Sequence, residues 1–247
     1  MSGWIAGRVA GQRQWTDRLY SLRVEADSPG FEAGQFTKLA LDIGDERVAR
    51  AYSFVNPPGE PVLEFYYIVV PEGPLSPRLA RLQQGDAVWV GDAPSGYLVL
   101  SEVPQAECLW LVSTGTGIGP FLSILRTDAP WSRYRKVVLV HAVRTAPELA
   151  YREVLDAVAA RYGERFSYVP VVSRELAHGA LQGRIPALLA AGSLESAAGS
   201  TLRPETSQVM LCGNPQMVAD MVAALGGRGM KKHRRRTPGQ ITVENYW

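Results

Sequence analysis

Cysteine is nearly missing from this chain of 247 residues, which holds only Cys108 and Cys212. Two thiols are too few for a disulfide framework, a thiolate zinc site or an iron–sulfur cluster. Whatever redox chemistry occurs is therefore not the chain's own, and no metal site is expected. Long apolar runs are absent as well: none approaches the roughly eighteen residues of a membrane span. The start, M-S-G-W-I-A-G-R-V, lacks the charged and apolar regions of a secretory signal. A cytoplasmic protein without a membrane partner is the expectation. Nor is there an excess of one charge, since the formal net charge is +2. That balance argues against a wholesale nucleic-acid binder, although K-K-H-R-R-R at 231–236 is a concentrated basic patch that needs its own account.

What is present has two grammars. Up to about residue 100, short stretches rich in β-branched and aromatic residues are separated by turn signals such as S-P-G, I-G-D and N-P-P-G. W-I-A-G-R-V, L-Y-S-L-R-V, Q-F-T-K-L-A-L, R-A-Y-S-F-V, L-E-F-Y-Y-I-V-V, A-V-W-V and G-Y-L-V-L are strand candidates for a small antiparallel β-barrel. L-S-P-R-L-A-R-L, with Leu75, Leu79 and Leu82 at helical spacing, predicts a short helix capping it. After S-E-V-P-Q, continuous apolar strands alternate with amphipathic helices, the pattern of a parallel sheet covered on both faces. The fold expected is an N-terminal barrel domain over 1–100 and a doubly wound α/β domain over 101–247. A-G-S-L-E-S-A-A-G-S at 191–200 reads as a flexible surface loop.

Ligands of such a sheet bind outside the carboxyl ends of its strands. The first strand ends in S-T-G-T-G-I-G-P, where Gly115, Gly117 and Gly119 let a ligand approach and the next helix offers N–H groups to a phosphate. The spacing is not G-x-G-x-x-G, and many loops carry glycines for steric reasons. The next strands end at Arg144 and Arg174, and Arg184 follows in Q-G-R-I-P. Each could be a solvated surface residue, yet three together suit the 2′-phosphate of NADP(H). The last strand ends L-C-G-N-P-Q-M; Cys212 could be an ordinary buried residue, while Gly213 leaves room for a flat ring beside it. In R-A-Y-S-F-V, Tyr52 could be core and Arg50 an outward charge.

R-A-Y-S on a barrel strand, P-E-G-P-L-S-P-R-L, G-T-G-I-G-P and C-G-N-P occur here in the order found in ferredoxin/flavodoxin-NADP reductases. From Trp4 to Trp247 the chain resembles that family, and in particular its bacterial subgroup ending in a Tyr-Trp pair. The resemblance implies an FAD enzyme that takes hydride from NADPH at flavin N5 and passes electrons singly to ferredoxin or flavodoxin. It assigns FAD to Arg50, Ala51, Tyr52 and Ser53, to Tyr66 and Val69, and to Thr116. It also has Pro74, Leu75 and Ser76 giving backbone N–H groups to the pyrophosphate at a helix start. NADP(H) falls to Val143, Arg144, Ser173, Arg174, Arg184, Asn214, Pro215, Gln216 and Asp220. The catalytic set it implies is Ser53, Cys212, Glu244 and Tyr246, with Ser53 and Cys212 positioning the two rings.

The resemblance also gives the terminal aromatics of V-E-N-Y-W a surface to cover. Plastid-type members end in Glu-x-Tyr with the tyrosine over the flavin; here Glu244-Asn245-Tyr246 is followed by Trp247. Tyr246 is expected to shield the isoalloxazine and Trp247 to stack on the FAD adenine. Arg234, Arg235 and Arg236 are read as a docking patch for an acidic carrier, on a protein expected to be monomeric and to bind no nucleic acid. The alternatives are a flavin reductase or oxygenase-system reductase on the same fold and, from another class, a nucleic-acid module built on the basic run.

Overall fold

The computed structural model describes residues 3–28 and 30–245; Tyr246 and Trp247, and the expectations resting on them, lie outside the described residues. The chain divides into two compact units, one of residues up to Val99 with Gly119–Thr127, the other of Leu100–Ile118 with the residues from Asp128 onward. Among the described residues no helix is long and apolar enough to cross a membrane.

The first unit is built on six antiparallel strands: β1 Trp4–Gln14, β2 Leu19–Glu25, β3 Phe36–Ile43, β4 Glu46–Ser53, β5 Val62–Ile68 and β6 Ala87–Gly91. Their order is β4-β3-β6-β1-β2-β5, so β4 and β5 are the two sheet edges. An antiparallel bridge between Phe54 and Phe65 and the bond from Val55 N–H to the Glu64 carbonyl (2.9 Å) join those edges into a barrel. Alternation along the strands sends Val9, Leu22, Val24, Leu39, Leu63 and Phe65 into one core. The capping helix is a single turn, α1 Ser76–Leu79; its Leu79 and the preceding Leu75 enter that core with Leu82 packed against it.

One strand candidate fails. G-Y-L-V-L forms no ladder: Leu98, Val99 and Leu100 are buried as a connecting segment that runs into a short turn at Leu100–Glu102. Three apolar residues in succession, Leu98 to Leu100, are buried without a strand while Tyr97 stays exposed, and the Leu98 carbonyl lies where a Cβ on Gly34 (φ +106°) would fall. The segment Gly119–Thr127 holds to this unit through Ser123 Oγ donating to the Asn56 carbonyl (2.7 Å) and an Arg126–Glu60 ion pair (2.6 Å).

The second unit is a parallel sheet of β7 Cys108–Thr114, β8 Lys136–Val143, β9 Phe166–Val172, β10 Leu181–Gln182, β11 Ser207–Gly213 and β12 Ile241–Asn245, ordered β10-β9-β8-β7-β11-β12. After α2 Gly119–Leu125, which belongs to the first unit, the helices accompanying this sheet are α3 Ala129–Arg133, α4 Arg152–Tyr162, α5 Ile185–Ala190, α6 Ser193–Ala198 and α7 Pro215–Gly227. The buried strand run Leu109–Val112 and its neighbours Val137–Val140 explain why no alternation shows in the sequence.

One expectation is corrected here. The supposed loop at 191–200 contains α6 Ser193–Ala198, because Leu194 and Ala198, one turn apart, are buried and left-handed glycines at 192 and 199 bracket the turn. The stretch before the terminal aromatics is a strand, β12, in parallel register with β11.

Candidate functional site

In the first unit the expected flavin residues gather on the two sheet edges. Past Phe54 and Phe65 no ladder joins β4 to β5 among the described residues, which leaves a seam bordered by Arg50–Ser53 on one side and Tyr66–Val69 on the other. Tyr52 and Tyr67 meet edge to face across it, with ring centroids 5.9 Å apart. Burial pushes the Tyr52 hydroxyl up to about 12, so the ring is a neutral, half-buried aromatic surface. Ser53 and Tyr66 are buried, whereas Arg50 and Ala51 are exposed. Arg50 donates Nη1 to the Ala49 carbonyl (2.7 Å), which aims the guanidinium along the edge.

Val69 is half-buried, and the chain beyond it is fixed by Ser76 Oγ accepting from Val70 N–H (2.9 Å). Proline has no N–H, so Pro74 cannot serve a pyrophosphate as expected; among the three, only Leu75 and Ser76 can donate from the backbone.

In the second unit backbone bonds tie the three arginine-bearing strand ends together. Ser173 N–H donates to the Val143 carbonyl (3.0 Å), Arg174 N–H to the Arg144 carbonyl (2.9 Å), and Gly183 N–H to the Val172 carbonyl (3.0 Å). Ser173 Oγ adds a second bond to Val143 (3.1 Å). Arg144, Arg174 and Arg184 thus stand at the same end of three adjacent strands. Arg174 and Arg184 are exposed and make no ion pair among the described residues, while Arg144 is held by Glu148 (2.6 Å). The sequence reading missed Glu148, although R-x-x-x-E spacing was there to be seen.

The glycine turn behaves differently from the expectation. Gly115–Ile118 is a tight turn, and the helix after it, α2 Gly119–Leu125, is buried along all seven residues, so its first turn is not open as a phosphate cradle. Gly115, at φ +54°, has nothing near its missing Cβ among the described residues, whereas a Cβ on Gly117 would lie 2.7 Å from the Cys212 carbonyl oxygen. His141, fully buried below, bonds the Gly115 carbonyl through Nε2 (3.1 Å), and burial lowers its pKa to about 4, so the ring is neutral. Thr116 is buried in the same turn. The space beside Gly213 is likewise filled, not left for a flat ring: a Cβ there would lie 2.2 Å from Thr114 Oγ1.

Asn214 follows, its N–H on Thr114 Oγ1 (2.8 Å) and its Oδ1 capping α7 at Gln216 and Met217. Pro215 opens the helix, and Gln216 Nε2 donates to Asp220 Oδ1 (2.7 Å).

Strand register sets Glu244 on β12 beside the buried Cys212 on β11. Among the described residues one Glu244 carboxyl oxygen is buried without a hydrogen-bond partner, and burial pushes the group up to about 7. Because the folded pKa is raised, stability is unaffected by this group below about pH 4.5 and is lost as pH rises towards 7. A Glu244→Gln variant is therefore expected to match the parent in urea unfolding near pH 4. Above pH 7 it should exceed the parent, by about 3 kcal/mol at most. Equal pH profiles would mean that the carboxyl is solvated.

The basic run forms a tight turn, with Arg234 and Thr237 exchanging backbone bonds (3.1 and 2.8 Å) and Arg235 and Arg236 at its tip. Arg235 is not available as expected: it grips Glu102 (2.6 Å) and holds that carboxyl below its usual range. Arg234 and Arg236 remain exposed. Among the described residues no cluster of His, Cys, Asp and Glu is arranged to hold a metal.

An edge-seamed antiparallel barrel joined in one chain to a parallel α/β sheet with clustered strand-end arginines defines the class of pyridine-nucleotide oxidoreductases. Residues 111–223 match the family described as the oxidoreductase NAD-binding domain. Over 100% of both chains the protein is 52% identical to the flavodoxin/ferredoxin–NADP reductase of Escherichia coli (strain K12). It is 36% identical to the ferredoxin–NADP reductase of Pseudomonas aeruginosa, over 99% of this chain and 98% of that one. A ferredoxin NADP+ reductase from Neisseria gonorrhoeae, solved with bound FAD and NADP, matches with a TM-score of 0.94 at 34% identity, covering 99% of each chain. The chain belongs to the flavodoxin/ferredoxin–NADP reductase family.

Proposed function

We propose that this chain binds FAD along the β4–β5 seam, takes reducing equivalents from NADPH through the second unit, and delivers them to ferredoxin or flavodoxin. The observation that carries the reading is the backbone-tied row of Arg144, Arg174 and Arg184, a charge arrangement suited to a 2′-phosphate. When bound, the flavin supplies the conversion between a two-electron donor and one-electron acceptors.

The donor set fits both groups. Arg50 takes the pyrophosphate, with backbone N–H groups of Leu75 and Ser76; Tyr52, Tyr66 and Val69 give the isoalloxazine apolar surface; Ala51 lets the ligand approach the edge strand closely. Ser53 holds the ring edge by hydrogen bonding. Ser173, with the Val143 carbonyl under it, completes the 2′-phosphate site, and Asn214, Pro215, Gln216 and Asp220 border the rest of the nucleotide. Cys212 and Glu244, on neighbouring strands, orient the nicotinamide, and Glu244 is able to hold a proton near neutral pH. The purified protein should be yellow and should bleach anaerobically with NADPH far faster than with NADH. A colourless protein that takes up no added FAD would refute the reading.

An acidic carrier docks on the basic turn of a cytoplasmic enzyme. Arg234→Ala with Arg236→Ala should raise the KM for flavodoxin and flatten its salt dependence, with ferricyanide reduction unchanged. Arg235→Ala should do less, because Glu102 already neutralises that charge. If ferricyanide turnover fell equally, the turn would be structural and not a docking surface.

A further inference from the structure

Arg144 is gripped by one carboxylate in an unusually complete way. Glu148 Oε1 accepts from Arg144 Nε (2.9 Å) and Nη2 (2.6 Å), while Oε2 accepts from the Arg144 backbone N–H (3.0 Å). The Glu148 side chain is 12% exposed and that of Arg144 40%, so the carboxylate is the buried member of the pair. The turn that carries Glu148 is itself tied to the next strand end, since Glu175 Oε1 accepts from Ala146 N–H (2.7 Å) and Glu175 directly follows Arg174. The grip uses the side edge of the guanidinium. Nη1 makes no bond among the described residues, so the end edge is left to take a second anion.

We propose that Glu148 is a positioning residue for NADP(H) selectivity, fixing the Arg144 guanidinium side-on so that its end edge is preset for the 2′-phosphate. The inference rests on the reading of Arg144 as a 2′-phosphate ligand. A long arginine side chain ordered only on binding would lose its rotamer freedom at that moment and weaken the complex. Glu148 has already ordered it in the folded chain. The same carboxylate repels a phosphate, but it lies behind the guanidinium and is neutralised by it, so presetting is the larger effect.

The test is equilibrium titration of the FAD-loaded protein with NADP+ and NAD+, read by the flavin difference spectrum, in the parent, Glu148→Ala, Glu148→Gln and Arg144→Ala. Glu148→Ala should weaken NADP+ about five- to tenfold and leave NAD+ within about twofold. Glu148→Gln, whose amide oxygen can still accept from Nε or Nη2, should fall between Glu148→Ala and the parent. Arg144→Ala should lose at least as much NADP+ affinity as Glu148→Ala. Unchanged or tighter NADP+ binding in Glu148→Ala, beside a weakened Arg144→Ala, would overturn the proposal and leave Glu148 a mere counter-ion. Equal losses of NADP+ and NAD+ in Glu148→Ala, or no recovery in Glu148→Gln, would also overturn it, pointing to collapse of the turn. If Arg144→Ala itself bound NADP+ like the parent, the 2′-phosphate reading would be what had failed.

Discussion

An Arg174→Ala enzyme is expected to bind NADPH about 1.5 to 3 kcal/mol more weakly, roughly ten- to a hundredfold in KM, with NADH nearly unaffected. The size follows from the state of the side chain. Arg174 is exposed and unpaired among the described residues, so a 2′-phosphate gains a charge-assisted hydrogen bond without displacing an existing partner. Its position does not depend on the side chain, because its N–H is bonded to the Arg144 carbonyl (2.9 Å) and alanine keeps that bond. Loss of the guanidinium should therefore be felt by the phosphate alone. Steady-state kinetics with both nucleotides measures it, and parallel losses for NADPH and NADH would remove Arg174 from the 2′-phosphate site.

Gly213→Ala is expected to be among the most damaging small substitutions in the chain. The new Cβ would lie 2.2 Å from Thr114 Oγ1 and 2.9 Å from both Thr114 N and O, at a backbone φ of +131° that L side chains rarely adopt. Relieving the clash would push away the hydroxyl that accepts from Asn214 N–H (2.8 Å), and with it the entry to α7. Backbone strain and the broken bond together should cost about 3 kcal/mol or more, a fall of roughly 6 to 12 °C in Tm. Gly226→Ala is the control. Gly226 lies within α7 with nothing near its missing Cβ, and alanine there should be neutral or stabilising by up to about 1 kcal/mol. A Gly213→Ala protein melting with the parent would mean that the strand end yields easily.

The sequence alone was enough to reveal the two grammars, six of the barrel strands and the arginines at strand ends, because alternation, continuous burial and the carboxyl-end rule are all local signals. It also exposed the family through R-A-Y-S, G-T-G-I-G-P and C-G-N-P. Where it misled, burial and pairing across the chain had the last word. G-Y-L-V-L had the composition of a strand, yet Leu98, Val99 and Leu100 are buried in a connecting segment that joins no ladder. The Ser- and Gly-rich stretch at 191–200 became a helix because Leu194 and Ala198 found a core to enter, a gain that outweighs weak propensity.

The state of each site residue was decided by tertiary structure alone. Arg144 and Arg174 look alike in sequence, yet one is clamped by Glu148 and the other is not. Arg235 sits among five other basic or titratable residues, yet its charge is met by Glu102, 133 positions away. Glu244 looks like any exposed acid near a chain end until pairing of β12 with β11 buries it beside Cys212. Residue type and order along the chain specify which groups are present. Which of them is neutralised, preset or desolvated depends on distance through space, and that exists only once the strands have paired and the core has closed.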